Sequence, residues 1–372
     1  MKAFFARQHQ QPTRGWVTLL KPLSWVYGLT VRLRLTAYQR GWLASHRVGV
    51  PVISVGNLTT GGTGKTPIIM ALADSLVRAG VRVVILSRGY GAKVRTRYAR
   101  AIHPDFGDEA CWIQQQVPEA VVIVGADRVH TAQRAITDFS PDLILLDDGF
   151  QHLRLQRDLD IVLVDGALRF GNNALLPAGP LREPLSGLGR ASLVLLTKNA
   201  SPETLHWMET LKARYGPACP ILPVLFRPHS LISVSGSAHH TTVLPEDRAV
   251  VFSGIANPSL FEANLQELGI LVDEPIRFED HHIYTQADVS RLLHRGNTLA
   301  ENNNRTIFIT TDKDWVKLRH LFPTELHNMM YTLQTKPLLD VPWFLGEFIL
   351  PLLQHPTASL VHQSTGASEA RP

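Results

Sequence analysis

An apolar run, Val52 to Val55, opens into Gly56-Asn57-Leu58-Thr59-Thr60-Gly61-Gly62-Thr63-Gly64-Lys65-Thr66-Pro67 and then into a helical stretch, Ile68 to Ala79. Strand, glycine-rich turn, Lys-Thr and helix in that order constrain the fold more than any other segment. Glycines let backbone N–H groups turn inward around phosphate oxygens, and the helix N-terminus adds partial positive charge. Lys65 can then reach β- and γ-phosphates, and the Thr66 hydroxyl can ligate Mg²⁺. Pro67 costs the helix nothing, since the N–H it lacks is free in the first turn anyway. Gly61, Gly62, Thr63, Gly64, Lys65 and Thr66 are therefore the expected nucleotide-binding residues.

The loop departs from G-x-x-x-x-G-K-[ST] at its first glycine, which is Thr59. It is closer to the compact loops of the ArsA- and MinD-like ATPases, although the second lysine of those proteins is replaced here by Thr60. Such a loop needs an acid at the end of another strand to hold its metal. Leu143 to Leu146 followed by Asp147-Asp148-Gly149 supplies two, with Phe150-Gln151-His152 after them. Paired carboxylates at a strand end are costly unless a cation lies between them, and Mg²⁺ is the natural one. Guanine-specific relatives place Asn-Lys-x-Asp after a late strand. Here Thr197-Lys198-Asn199-Ala200 lacks the carboxylate, so ATP is expected rather than GTP.

Further candidate strands are Val81 to Leu86, Ala120 to Val124, Asp160 to Val164 and Leu193 to Leu196. They are nearly continuous apolar runs, as strands buried on both faces of a parallel sheet read. The expected fold is α/β, a P-loop NTPase-like doubly wound, mostly parallel sheet, in which ligands bind at the carboxyl ends of the strands. At 372 residues the chain has room for a second, smaller α/β domain. A helix over Glu203 to Arg214 precedes a linker or ribbon over Phe226 to Thr242. The second unit takes up a strand at Ala249 to Ile255, a helix near Pro258 to Leu268 and a strand at Thr306 to Thr310. The expected domains are an arm over 1–48, a phosphate-loop domain over 49–225, the smaller domain over 226–354, and a frayed tail over 355–372.

Charge sets the arm apart. No Asp or Glu occurs before Asp74, while Lys2, Arg7, Arg14, Lys21, Arg32, Arg34, Arg40, Arg47 and Lys65 are all basic. The same stretch is rich in Trp16, Leu19, Leu23, Trp25, Val26, Leu29, Leu33 and Trp42. The run starts too late for a signal peptide, and Arg32 and Arg34 interrupt a spanning helix. Two readings stay open: two short helices broken at Pro22 lying flat on an anionic leaflet, or helices packed on the domain's own core. Two distant cysteines, Cys111 and Cys219, with no CxxC pair, suit a reducing compartment, and the cytoplasm is expected.

Three other polar clusters read ambiguously. Phe106-Gly107-Asp108-Glu109-Ala110 supplies either a general base or an ordinary helix start. Phe278-Glu279-Asp280-His281-His282-Ile283-Tyr284 is a poor metal pair, because adjacent side chains diverge. One of its histidines could orient a catalytic acid. Arg182-Glu183-Pro184 is either a turn or a clamp on phosphate and metal.

Taken in order, Val55-Gly56-Asn57 into Gly61-Gly62-Thr63-Gly64-Lys65-Thr66-Pro67, Ser87-Arg88-Gly89-Tyr90-Gly91, Gly107-Asp108-Glu109, Asp147-Asp148-Gly149-Phe150-Gln151-His152 and Leu181-Arg182-Glu183-Pro184 carry a family resemblance. Gly254-Ile255-Ala256-Asn257-Pro258, Asp280-His281-His282-Tyr284 and Thr310-Thr311-Asp312-Lys313-Asp314 continue it. The series, over residues from about 15 to 345, strongly resembles the tetraacyldisaccharide 4'-kinases, the lipid A 4'-kinases. Thr63 stands where Ser is common and Asp312 where Glu is common.

The resemblance implies a peripheral enzyme of the cytoplasmic face of the bacterial inner membrane. It would move the γ-phosphate of ATP, with Mg²⁺, to the 4'-hydroxyl of the tetraacyldisaccharide 1-phosphate precursor of lipid A. It implies Asp108 as base, assisted by a histidine of Asp-His-His, with His281 favoured over His282. It also implies metal ligands among Thr66, Asp147, Asp148 and Glu183, and substrate contacts at Asn57, Tyr90, Gln151, His152 and Arg182. The partners implied are the lipid-linked disaccharide and an anionic membrane surface, with no nucleic acid and no obligate protein partner. A membrane-associated ATPase switch without an acceptor explains the loop and the arm but gives no role to Asp108 or the histidines. A GTPase metallochaperone would need His or Cys clusters near the loop, and the sequence has none there.

Overall fold

The computed structural model describes residues 15–89, 98–101, 108–198, 201–215, 219–235, 248–255, 257–279, 282–300, 305–338 and 341–354. Two compact units divide them at Leu225/Phe226, and the segment after Leu338 belongs with the first. The smaller unit is therefore shorter than the 226–354 expected, because 341–354 packs with the larger one. Leu352 from this segment shares a cavity of about 370 Å³ with Leu35 and Tyr38 of the arm.

The larger unit is a parallel sheet. Its strands are β1 (Val52–Asn57), β2 (Val83–Ser87), β3 (Ala99–Arg100), β4 (Val121–Val124), β5 (Leu143–Asp147), β6 (Leu159–Asp165), β7 (Leu193–Thr197) and the first residues of β8 (Ile221–Ser233). Their spatial order is β8-β7-β6-β1-β5-β2-β4-β3, parallel throughout except for the β3–β4 pair. Strands β1, β2, β5, β6 and β7 are buried at every residue. That is why they read as apolar runs rather than alternations.

On one face Val52, Leu86, Ile144 and Leu146 pack with Val129, Ala132 and Ala135 of α4 (Arg128–Phe139). Elsewhere Val162, Val164, Val194 and Leu196 pack with Leu58, Phe150 and with Met208 of α5 (Pro202–Tyr215). Each such Val, Leu, Ile, Phe or Met side chain is worth roughly 1.5–3 kcal/mol once buried. The central helix α2 (Lys65–Arg78) buries Ile68, Ile69, Leu72 and Leu76. A shorter α3 (Asp108–Gln116) runs between β3 and β4.

The arm is one helix, α1 (Lys21–Gln39), after a 3₁₀ turn at Gly15–Leu20. The expected break at Pro22 does not occur. Pro22 falls in the first turn of α1, where its missing N–H and fixed φ cost nothing.

The smaller unit carries β9 (Arg248–Ser253), β10 (Ile276–Arg277), β11 (Thr306–Thr310) and β12 (Met330–Leu338) in the order β10-β9-β11-β12, all parallel, with the later part of β8 next to β12. Helices α6 (Pro258–Glu267), α7 (Gln286–Ala300) and α8 (Asp312–Leu318) complete it. Of the linker or ribbon expected from Phe226, the first residues belong to the strand β8.

Candidate active site

The phosphate loop lies between β1 and α2. Two glycines in it take backbone angles that other residues avoid, Gly61 at φ 114° and Gly64 at φ 88°, the latter as the N-cap of α2. Among the described residues, no protein acceptor takes the N–H of Gly61, Gly62, Thr63 or Gly64. Four unclaimed amides at the N-terminus of a 14-residue helix form an anion cradle. Lys65 is aimed by its neighbours. Its Nζ donates to Asn57 Oδ1 at 3.3 Å and lies 3.5 Å from Asp148 Oδ1. Asn57 in turn donates from Nδ2 to Thr63 Oγ1 at 3.1 Å, tying the strand end to the loop.

Beside the loop stands the carboxyl end of β5. Asp147 accepts from Ser87 Oγ at 2.9 Å. Burial pushes its pKa from 3.8 up to about 6, and the neighbouring Glu109 carboxylate pushes the same way. Thr66 Oγ1 donates to Glu109 Oε1, which brings the start of α3, and so the backbone of Asp108, to the start of α2. A buried carboxylate whose pKa stays raised despite Arg128 nearby, a second carboxylate and a threonine hydroxyl are an oxygen donor set suited to Mg²⁺. Among the described residues no three His, Cys, Asp or Glu side chains cluster to cage a metal. That pattern fits a cation held largely by nucleotide phosphates and water.

The sign of the Asp147 effect is testable. A carboxyl whose folded pKa is raised holds its proton more tightly folded than unfolded, so stability falls as pH climbs from 3.8 to about 6 and stays lower above it. The penalty is about 3 kcal/mol at full ionisation. Asp147→Asn is expected to melt several degrees higher than the wild type at pH 8 without nucleotide, and to lose that advantage at pH 4. Thermal melts at the two pH values check it, and equal melting at pH 8 refutes the assignment.

Asp148 behaves oppositely. Burial would raise its pKa, but Lys65 and Arg182 outweigh that and hold it below its ordinary range. Arg182 Nη1 donates to both its oxygens, at 2.8 and 2.7 Å. Its backbone φ of 54° is strained for a non-glycine residue. Only glycine fits after it, since a Cβ on Gly149 would stand 2.6 Å from Leu146 Cβ. A Cβ on Gly56 would stand 2.6 Å from Phe150 Cβ, so β1 and the β5 turn approach as closely as backbone allows.

The other expected residues gather nearby. Gln151 Nε2 donates to Asn57 O and to Glu183 Oε1, both at 2.9 Å. Glu183 is 1% exposed, and its second oxygen accepts from Arg190 at 2.7 Å. His152 is kept neutral, its pKa lowered to about 4 by burial and by Arg128, Arg157 and Arg34. Asp108 is the first residue of α3. The Asp108 side chain and the Tyr90, Asp280 and His281 positions lie outside the described residues.

Two residues of this site escaped sequence reading as functional groups. Glu109 was visible only as the neighbour of Asp108. Arg128, 3% exposed, donates to Gly125 O at 2.8 Å and Asp147 O at 3.2 Å, and burial lowers its pKa to about 10. Its signal was position: it follows Asp127, the N-cap of α4, just past the carboxyl end of β4.

In the smaller unit two motifs meet on one buried carboxylate. Asp314, fully buried, accepts from the Gly254 N–H at 3.0 Å and the Thr311 hydroxyl at 2.7 Å. His282 stacks on Phe278 at 4.6 Å, meets Tyr284 edge-on at 5.0 Å, and pairs through Nε2 with Asp288 at 3.0 Å. His282 is thus built into the unit's own packing.

A parallel sheet with free loop amides at one strand end, a lysine reaching over them and a buried acid on the adjacent strand defines a P-loop nucleotide-binding protein. Sequence and structure comparisons narrow the class. Residues 16–350 match the family described as Tetraacyldisaccharide-1-P 4'-kinase. A tetraacyldisaccharide 4'-kinase of Pelobacter propionicus is 39% identical over 322 residues, covering 82% of this chain and 84% of that protein. One of Chlorobaculum parvum is 36% identical, covering 81% and 84%. The crystal structure of LpxK from Aquifex aeolicus, described as an apo form in complex with ATP, superposes with a TM-score of 0.69 at 30% identity, covering 91% of this chain and all of that one. The chain belongs to the tetraacyldisaccharide-1-P 4'-kinase family.

Proposed function

We propose that this protein transfers the γ-phosphate of ATP to the 4'-hydroxyl of a tetraacyldisaccharide 1-phosphate, at the cytoplasmic face of the bacterial inner membrane. The observation that carries the reading is the juxtaposition of four loop amides, unclaimed among the described residues, with the buried, raised-pKa Asp147, in a chain of this family. The amides of Gly61 to Gly64 and the Lys65 ammonium bind the β- and γ-phosphates. Thr66 and Asp147, with Glu109 adjoining, would hold Mg²⁺. When bound, Mg²⁺ neutralises charge gathering on the phosphate oxygens.

Asp108 accepts the proton of the sugar hydroxyl, which becomes acidic only late in a loose transition state, so a carboxylate of ordinary basicity suffices. Of the Asp-His-His motif, His281 is the histidine proposed to assist it. Asp148, held ionised by Lys65 and Arg182, keeps those two cations in register between the phosphates and the acceptor. Glu183 holds Gln151, and Asn57, Tyr90, Gln151, His152 and Arg182 are the residues proposed to contact the sugar.

The arm supports the membrane assignment through its orientation. The residues α1 buries are Ser24 and Gly28, with the Ser24 hydroxyl donating to Leu175 O at 3.0 Å and accepting from Ala178 N at 2.9 Å. Its apolar residues face outward: Leu19 is 78% exposed, Trp25 73%, and Leu23, Val26, Leu29 and Leu33 more than half. A helix packed on its own core would do the reverse. Among the described residues no helix is long and apolar enough to cross a membrane. An apolar face carrying Arg32, Arg34 and Arg40 and no acid suits an anionic leaflet surface.

One experiment tests both parts. Vesicles of anionic phospholipid containing the disaccharide acceptor are mixed with γ-labelled ATP and either the wild type or a Trp25→Glu, Leu29→Glu variant. Label is expected in the lipid with the wild type, and roughly tenfold slower, with loss of vesicle co-sedimentation, with the variant. Label appearing only as free phosphate would make the protein an ATPase switch. Unchanged co-sedimentation of the variant would remove the arm from the membrane.

A further inference from the structure

The Thr197-Lys198 pair at the end of β7 stands where a guanine-reading motif would lie, yet it lacks that motif's acid. The structure turns it toward the phosphate loop instead. Lys198 Nζ donates to the carbonyl of Gly62 at 2.8 Å and pairs with Asp165, which is 3% exposed at the end of β6. Thr197 Oγ1 donates to the carbonyl of Thr63 at 2.9 Å. These are successive carbonyls of the loop. Holding them from outside turns the peptide planes so that their N–H groups face the cradle.

Lys198 reaches this position from φ 68°, a left-handed conformation that a residue with a Cβ adopts at a cost. Asp165 is fixed in turn, its Oδ1 accepting from the N–H groups of Ala167 and Leu168, each at 3.0 Å. The start of the loop is held separately: Thr60 N–H donates to Pro180 O and Arg182 N–H to Leu58 O, both at 2.8 Å. The loop is therefore fastened at both ends.

We propose that Lys198, anchored by Asp165 and seconded by Thr197, is a positioning residue that sets the phosphate-loop amides for nucleotide, and that it takes no part in phosphoryl transfer itself. The proposal rests on the kinase reading given above. Charge-assisted hydrogen bonds to a backbone carbonyl are among the stronger polar contacts, and the loop's own glycines leave it little stiffness to fall back on.

The test measures binding of a non-hydrolysable ATP analogue with Mg²⁺ by calorimetry, alongside steady-state kinetics, for the wild type, Lys198→Ala, Lys198→Arg and the double variant Asp165→Asn, Lys198→Ala. Lys198→Ala is expected to weaken analogue binding and raise KM for ATP about tenfold, with kcat at saturating ATP within about threefold of wild type. Lys198→Arg is expected to restore most of the affinity. The double variant removes the buried carboxylate that Lys198→Ala leaves unpaired, so it is expected to regain the wild-type melting temperature while binding nucleotide as poorly as the single variant. Wild-type affinity in the double variant, or a fall in kcat with KM unchanged, overturns the brace while leaving the kinase reading intact. A wild-type protein that binds no analogue overturns both.

Discussion

Lys65→Ala is expected to lower kcat/KM for transfer of label from ATP to the glycolipid by at least about a thousandfold. The size of the effect follows from how the side chain is held. Lys65 is half of a prepared arrangement, 3.3 Å from Asn57 and 3.5 Å from Asp148, that cannot re-form around a shorter side chain. Its removal also leaves Asp148 with Arg182 as its only cationic contact among the described residues. Initial rates with purified protein decide it, and a variant working at the wild-type rate would end the reading of this loop as a triphosphate grip.

The second large effect is expected at Asp108. If this carboxylate takes the proton of the attacking hydroxyl, Asp108→Ala loses about a hundred- to ten-thousandfold in kcat while KM for ATP moves less than about threefold. The neighbouring Glu109 sharpens the comparison, because its carboxylate already contacts Thr66 at the head of α2. A defect that fell on ATP binding instead would transfer Asp108 to the nucleotide and metal side of the site, and saturation kinetics in ATP and in acceptor separate the two outcomes.

Much of the larger unit was legible because burial on both faces leaves a sequence signature: β1, β5 and β7 begin at the residues their apolar runs suggest. Strand β8 was less so, since its burial alternates and Pro223 and Pro228 interrupt it, so its part from Phe226 read as a linker or ribbon. The arm shows a different limit. Its pattern reveals that one side is apolar, but pattern alone does not say which side meets the protein. That depended on Ser24, Gly28 and the carbonyls of the 175–182 segment, which only the fold assembles. Glu109 and Arg128 were hidden for a related reason, as their roles come from partners 43 and 19 positions away in the chain. The pair His281-His282 was undecidable by spacing; the fold shows His282 held between Phe278 and Asp288.

The helix with the outward apolar face is also bonded straight into the site. Tyr27 OH donates to the carbonyl of Arg182 at 2.6 Å, and Arg34 Nη2 to the carbonyl of Gln151 at 3.2 Å. No flexible tether intervenes between them. If the arm lies on a lipid surface, as proposed, the depth it adopts there also sets the height at which Arg182 and Gln151 ride above it, so the arm would work as a fixed gauge, and a substrate whose sugar stood too far out or too deep would miss the proposed catalytic groups however well its chemistry matched.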